Sequence, residues 1–542
     1  MKRLILIFLF ALIIFPLISF AQYSWQWAIA EGAAYNDYIT SIDCDDEGNV
    51  YAVGVFEGTV DFFGETLIST GGNDVFIASF NAQGNLIWVR QGGGTYEDFP
   101  RDIYTDNQYI YVTGGFGEQA IFDDETLIST GVRDMFLLKY DLEGNLQWAT
   151  SGGSVTDDAG NSVTADDEGN IYIVGDMNYT ATFGNHSVTY YGFTDIFIAQ
   201  YDANGICQWA TSAGGPIYDY GSSIAVVNNN LFIGGSFNDV AVFGTSSVTS
   251  VDLVDIFIAH YLTDGTFVEV VSAGGMNNEN LQCMAVDSNL NVYISGWFML
   301  DITIGDNTFN SNGVYDIFLA KYEPGVGFNW AQSFGGVGSD EALDMYCDVG
   351  DNLIFTGIFE NTVTLGSTQL VSDGFDDGFM GKFDPNGTFD WVYQAGGSGG
   401  IRVNACTADN DDNYYFAGDF VEELIIGNFV FNPVGAYDLF MAKLGEGSDI
   451  NENGILSPHH IVIFPNPANE IPNIKYTLSV GSHVNLSIYD ELGKHVNTLV
   501  DCKQIPGEYT IQLEKSDLRA GNYLIKLLAG NYVETAKMIV LR

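Results

Sequence analysis

DVFIASF at residues 74–80 returns as DMFLLKY at 134–140, DIFIAQY at 195–201, DIFIAHY at 255–261, DIFLAKY at 316–322, DGFMGKF at 377–383 and DLFMAKL at 438–444. The Asp that opens each copy (Asp74, Asp134, Asp195, Asp255, Asp316, Asp377, Asp438) recurs every 60 or 61 residues. Fourteen residues further on stands a Trp (Trp88, Trp148, Trp209, Trp330, Trp391), with Glu269 as the exception. A fixed period of this size marks a repeat architecture in which one supersecondary unit is copied along the chain.

Within one period the hydrophobic pattern has period two. YITSIDC (38–44) alternates in polarity, DDEGN makes a turn, and VYAVGVF (50–56) is a second run ending near a Gly. That Gly recurs as Gly54, Gly114, Gly175, Gly235, Gly296, Gly357 and Gly418. The run after Asp74 is the third, NAQGN turns the chain, and a fourth run surrounds Trp88. Short runs rich in Val, Ile, Tyr and Phe between Asp/Asn/Gly turns are strands. The stretch TVDFFGETLIST, between the second and third runs, reads as a small extra hairpin. Four antiparallel strands repeated seven times predict an all-β seven-bladed propeller. Trp27 lies 61 residues before Trp88 with no Asp-x-Phe run ahead of it, and the run at Asp438 has no Trp strand after it. Residues near Trp25 and Trp27 are therefore expected to supply the fourth strand of the last blade, closing a ring without open edges.

The chain has 542 residues, room for more than one domain. Lys2 and Arg3, an apolar run from Leu4 to Phe20, and Ser19 with Ala21 read as a secretory signal over 1–21, cleaved before Gln22; an uncleaved anchor is the alternative. No later segment is long and apolar enough to span a bilayer as a helix. Charge is uneven. Residues 22–457 hold 8 Lys/Arg against 62 Asp/Glu, whereas 458–542 hold 8 of each. So acidic a body repels nucleic acid and anionic membranes, since phosphate binding needs clustered Lys/Arg. It attracts cations and basic partners, or simply stays soluble in a salty medium. The six Cys are scattered with no C-x-x-C; Cys44 and Cys347 share an inner-strand column near Cys406 and read as small buried hydrophobes, with a thiolate site as the alternative.

The repeats span 22–444, and 445–457 (containing GEGSDINENG) is a flexible acidic linker. From 458 to 542 the text changes to short alternating strands of a small Ig-like β-sandwich: FPNPANEIPNIKYTL, VNLSIYDELGKHV, GEYTIQLE, LRAGNYLIKL and KMIVLR. Pro465-Asn466-Pro467, Ile488-Tyr489-Asp490 with Gly493, Gly507 before Tyr509, Leu518 with Gly521 and Tyr523, and Lys537 carry a resemblance. Residues 461–542 resemble the type A C-terminal sorting domain of the Bacteroidetes type IX secretion system, with Phe464 in place of the usual Tyr. That resemblance implies partnership with the type IX machinery, passage through the periplasm, and a secreted or outer-membrane-surface destination. The alternative is a plain Ig-like accessory domain. The repeats are similar to SBBP-type propeller repeats, through Gly48-Asn49-Val50-Tyr51, Asp74-Val75-Phe76 and Gly92-Gly93. That resemblance implies a fold and little chemistry, because propellers host many functions.

Only His186 and His260 fall in the repeats, so neither a His-based zinc site nor a Ser-His-Asp triad is easily built. His260 shares its column with Ser79, Lys139, Gln200, Lys321, Lys382 and Lys443, read as solvent-facing. The Gly-Gly pairs have no helix after them, which excludes a phosphate loop. Carboxylates form a series. Asp37, Asp98, Asp158, Asp219, Glu279 and Asp340 stand ten residues after each Trp position, broken only by Ile401. Placed before the innermost strands, they would ring one mouth of the central channel and bind a hard cation, with calcium as the expected ion. Alternatively, each accepts N–H bonds from its own Gly-Gly turn. The same position-by-position repetition makes the Asp-x-Phe aspartates architectural. The sequence thus predicts an exported binding or adhesion propeller for an extracellular glycan or protein, with no catalytic constellation to name. A carboxylate-driven glycan hydrolase or lyase on the loop-rich face is the runner-up.

Overall fold

A computed structural model describes residues 23–446 and, in the C-terminal part, 461–464, 473–478, 482–490, 494–504, 507–512, 521–529 and 532–540. The signal segment and most of the linker lie outside the described residues. The chain divides into two compact units, Met1–Gly447 and Ser448–Arg542.

In the first unit the period-two runs become seven four-stranded antiparallel blades. The first blade runs outward from Tyr38–Cys44 through Val50–Phe62 and Glu65–Phe80 to Leu86–Gly94. The other six innermost strands are Phe99–Thr105, Asp158–Ala165, Asp219–Val227, Glu279–Val286, Glu341–Cys347 and Ile401–Ala408. The apolar side chains gather into seven clusters, one at each blade-to-blade junction. Val50–Phe56 is buried on both faces, one face meeting the last blade and the other the second. A continuous apolar run of this kind is what a strand covered on both sides requires.

Each innermost strand carries a bulge. Register slips between Ile39 and Ser41, and between the equivalent residues of every other blade, leaving Thr40, Arg101, Asn161, Ser222, Gln282, Leu343 and Asn404 as the extra residues. The bulge explains the recurring Gly. A Cβ on Gly54 would meet the carbonyl oxygen of Tyr38, and Gly114, Gly175, Gly235, Gly296, Gly357 and Gly418 face the same obstacle in their own blades. Only glycine lets the second strand lie against a bulged first strand.

Ring closure follows the expected offset. Tyr23–Glu31 pairs with Asp438–Glu446, with Trp27 opposite Lys443, and completes the order 401–408, 414–420, 438–446, 23–31. Trp27 Nε1 then donates 3.0 Å to the Ala82 carbonyl of the first blade. Trp88, Trp148, Trp209 and Trp330 repeat this bond to the next blade's turn at 2.9–3.4 Å. Glu269 reverses it, accepting from Tyr322 Oη at 2.8 Å and from Gly325 N–H at 3.2 Å. The buried Trp391 Nε1 has no partner among the described residues.

The hairpin expected between the second and third strands reaches sideways and covers a neighbour's edge. Gly92, Gly93 and Gly94 of the first blade pair with Phe122, Ile121 and Ala120 of the second, and Ala395–Gly397 pair with Leu424–Ile426. The outermost strands are thereby protected at one end.

The second unit holds one sheet of Ile461–Phe464, Asn473–Leu478 and Gly507–Gln512, and another of His495–Gln504, Ser482–Asp490, Gly521–Ala529 and Tyr532–Val540. Ile474, Tyr476, Leu486, Ile525, Leu527 and Met538 are among its buried core. No helix among the described residues is long and apolar enough to cross a membrane.

Deleting residues 22–31 removes a whole strand with Trp25 and Trp27 and uncovers 438–446. We expect a loss of roughly 5 kcal/mol or more in unfolding free energy, read by chemical denaturation. A deletion variant as stable as the parent would refute this closure.

Candidate functional site

The six carboxylates expected at the channel mouth are taken up by the blade junctions instead. Asp37, Asp98, Asp158, Asp219, Glu279 and Asp340 are all buried. Each accepts the backbone N–H four residues earlier (Ala33, Gly94, Ser154, Gly215, Gly275, Gly336) at 2.5–3.1 Å. In five of them the other oxygen takes an N–H at the end of the second strand, at 3.2–3.3 Å. Short carboxylates four residues from a Gly-containing bend reach those N–H groups before they can reach the channel axis. This corrects the cation ring. Its oxygens are held by backbone N–H groups, Glu279 Oε1 excepted, and among the described residues no group of three or more His, Cys, Asp or Glu is placed to hold a metal.

The Asp-x-Phe aspartates close the same clasp from the other side. Asp74 accepts the Thr70 N–H at 2.9 Å, Asp134 the Thr130 N–H at 2.8 Å, and Asp438 the Val434 and Gly435 N–H groups at 2.6 and 3.1 Å. A Cβ on Gly93 would touch both Asp74 and Asp98, so this glycine, at φ 150°, separates two carboxylates. Burial pushes Asp37 and Asp158 up to about 6, Asp98, Asp219 and Asp340 up to about 7, and Glu279 up to about 8. The neighbouring Asp-x-Phe carboxylate adds to the rise, against the backbone N–H bonds that lower it. Asp255 Oδ1 and Glu279 Oε1 are both buried acceptors without a donor, and the charge of Asp255 adds to the rise of Glu279.

The column of His260 is likewise not solvent-facing. Ser79, Lys139, His260, Lys382 and Lys443 are buried between blades. His260 stacks on Phe232 with ring centres 4.5 Å apart, and its Nε2 lies 2.9 Å from Asn230 Oδ1. Lys382 instead reaches Asp348 at 2.9 Å and Tyr414 Oη at 2.6 Å. A long side chain can lay its stem over an aromatic ring and deliver its polar end to a neighbour's turn, so a polar column fits an interior seam. All six Cys are free thiols; Cys207, Cys283 and Cys406 are buried. Burial holds the Cys44, Cys347 and Cys406 thiols well above the ordinary range, against a thiolate site.

Free chemical capacity lies along the channel and on the face formed by the Gly-Gly loops. The bulged strands surround the channel, and at its mouth on this face a cavity of about 560 Å³ is lined by Tyr38, Thr40, Arg101, Gln282, Arg402 and Asn404, among others. The bulge column was not recognised from the sequence, because its seven residues differ in type while their neighbours repeat. Variability at one fixed phase of the period was the available signal. On the same face Phe193 stacks on Tyr218 (5.4 Å, 22°) and Tyr218 on Tyr220 (6.4 Å, 1°), with the three rings 64, 45 and 41% exposed. Tyr179 and Tyr190 stack nearby in sequence, 4.6 Å apart.

Residues 462–541 match the secretion system C-terminal sorting domain family. The tail is thus a type IX sorting domain, and the protein is directed to the cell surface or outside the cell. The uncharacterized WD repeat-containing protein L264 of Acanthamoeba polyphaga mimivirus is 23% identical over 479 residues, covering 70% of this chain and 34% of that protein. The regulatory protein FlaEY of Caulobacter vibrioides is 24% identical over 310 residues, covering 52% and 32%. The chain therefore spans about a third of the length of these relatives. Among solved structures, PorZ, described as an essential surface component of the type IX secretion system of Porphyromonas gingivalis, aligns over 95% of this chain and 100% of its own, with 10% identity and a TM-score of 0.17. A puromycin hydrolase aligns over 81% and 58%, with 10% identity and a TM-score of 0.37. Scores this low carry no argument about activity.

The raised carboxyls give stability a definite pH slope. From about pH 4 up to their folded values of 6–8 the native state binds more protons than the unfolded chain, so these groups lose their stabilising contribution as pH rises. The unfolding midpoint is expected to fall between pH 5 and pH 8 at fixed ionic strength. Glu279→Gln supplies Asp255 with a permanent N–H donor and should recover about 1 kcal/mol at pH 8. A midpoint that rises from pH 5 to pH 8, or a Glu279→Gln variant less stable at pH 8, would contradict the clasp.

Proposed function

We propose that this chain is an exported, non-enzymatic binding or adhesion module whose contact surface is the Gly-Gly-loop face of the propeller. The stacked, exposed aromatics Phe193, Tyr218 and Tyr220 are the observation that carries the reading. Rings left in water across two adjacent blades cost the folded chain solubility and add nothing to its core, whereas they supply rigid, amphipathic contact area to a partner. The buried carboxylates favour this reading over carboxylate catalysis, because their oxygens are committed to backbone N–H groups. The partner is an extracellular glycan or protein. The type IX machinery receives the chain through residues 458–542 and brings it through the periplasm, after which the body is released or held at the surface.

Binding of the mature protein to an array of glycans and surface proteins tests the reading. A Phe193→Ala, Tyr218→Ala, Tyr220→Ala variant should lose at least about ten-fold in affinity for whatever the parent binds, as hot-spot aromatics do, with its unfolding midpoint nearly unchanged. Undiminished binding by the variant, or a parent that binds nothing on the array, would overturn it.

A further inference from the structure

The mouth of the channel holds two exposed guanidinium groups that make no ion pair within 4.0 Å, with Asp419 lining the same cavity. Of the 8 basic residues between 22 and 457, all four lysines lie in or beside the seams between blades, Arg90 donates to the Gly144 carbonyl, and Arg133 lies over the Phe99 ring, 5.1 Å from its centre. Arg101 and Arg402 are different. Both are exposed, both line the cavity at the mouth, and they come from blades two and seven, which flank the first blade. Among the described residues the ion pairs within 4.0 Å are Lys382–Asp348 and Lys443–Asp409, so neither guanidinium is paired. Asp419, Asp376 and Glu341 act on Arg402 only across a gap.

We propose that this mouth binds the carboxylate of an acidic saccharide, with Arg101 and Arg402 as the residues that grip it. The inference rests on the binding role argued above and names the ligand class. A guanidinium presents its N–H groups in a planar fork that matches a carboxylate at two points, which a lysine does not. The field of 62 acidic residues opposes each added negative charge, so a single carboxylate at a chain end is admitted where a polyanion or a phosphate dianion is repelled. A saccharide fits the remaining groups. Asn404 spends its N–H₂ group on Asp419 and on the Ile39 carbonyl, which leaves its Oδ1 to accept from a sugar hydroxyl. Tyr38 adds an aromatic ring to the same cavity. A peptide is disfavoured. Docking as an added strand would need a regular strand edge, and every inner strand is interrupted by its bulge at this level.

Titration calorimetry of the mature full chain tests this with three probes: a glucuronate-terminated xylo-oligosaccharide, the same molecule with its carboxyl reduced to the alcohol, and an acidic peptide of equal charge. The acid form should bind at least ten-fold more tightly than the reduced form. Arg101→Ala and Arg402→Ala should each lower its affinity about ten-fold and leave the reduced form unaffected, and Arg→Lys at either site should restore only part. Both side chains are exposed and free of hydrogen bonds, so unfolding midpoints should match the parent and rule out misfolding. Equal affinity for acid and reduced forms, unchanged affinity in the alanine variants, preference for the peptide, or no binding to any probe would overturn the proposal. If acid and reduced forms bind equally and the Phe193, Tyr218, Tyr220 variant loses both, the saccharide-binding role stands and the carboxylate grip alone falls.

Discussion

Each blade buries both of its faces, and the ring depends on the contact between neighbouring blades. Seven apolar clusters sit at seven junctions, so a missing junction would leave two large apolar faces in water. The junctions are fixed at several levels, though where blade six meets blade seven Trp391 Nε1 has no partner and Ile401 replaces a carboxylate. A Trp or its substitute bonds to the next blade's turn, a hairpin crosses to cover an outer edge, and two carboxylates hold the intervening bend by its N–H groups. The last junction is the first one in chain order. It forms only when 23–31 returns to 438–446, which ties together the two ends of the repeat array.

This arrangement explains why the two faces of the propeller differ in chemistry. On the face of the Asp-x-x-Gly-Asn turns, the Asp bonds its own turn and, in four blades, the Tyr six residues on, as Asp45 does with Asn49 and Tyr51. That repetition ties much of this face to the turns themselves. On the opposite face the loops are held by buried carboxylates, and their outward residues are free to vary. Phe193 and Tyr218 stand there in blades three and four, whereas the matching positions of blade seven and the ring start carry Ala436 and Asn36. Symmetry is spent on holding the ring, and asymmetry is confined to the face and channel mouth where a ligand would be met.

The period, the four-strand blade and the strand exchange were legible because each rests on residue identity repeated at fixed spacing. Trp27 and Asp438 were informative as the two unpaired ends of that pattern. The carboxylate column was equally visible, yet its direction was not. Each carboxylate stands four residues after a bend whose N–H group it reaches, and residue type alone does not separate that from a side chain facing the channel. The bulge in the inner strand hid Arg101 and Asn404 as channel residues. His260 and the lysines misled for another reason: a polar column normally signals solvent, but here it marks seams where long stems cover tyrosine rings, as Lys139 Nζ does 3.7 Å from the Tyr109 ring centre.

The central claim is that the carboxylate column holds backbone and not an ion, and hydrogen–deuterium exchange at the capped amides reads it directly. With a chelator present, the N–H groups of Ala33, Gly94, Ser154, Gly215, Gly275 and Gly336 should exchange as slowly as those of the core strands, and added calcium should leave them unchanged. Rapid exchange at these amides in chelator that becomes slow only with calcium would contradict the account.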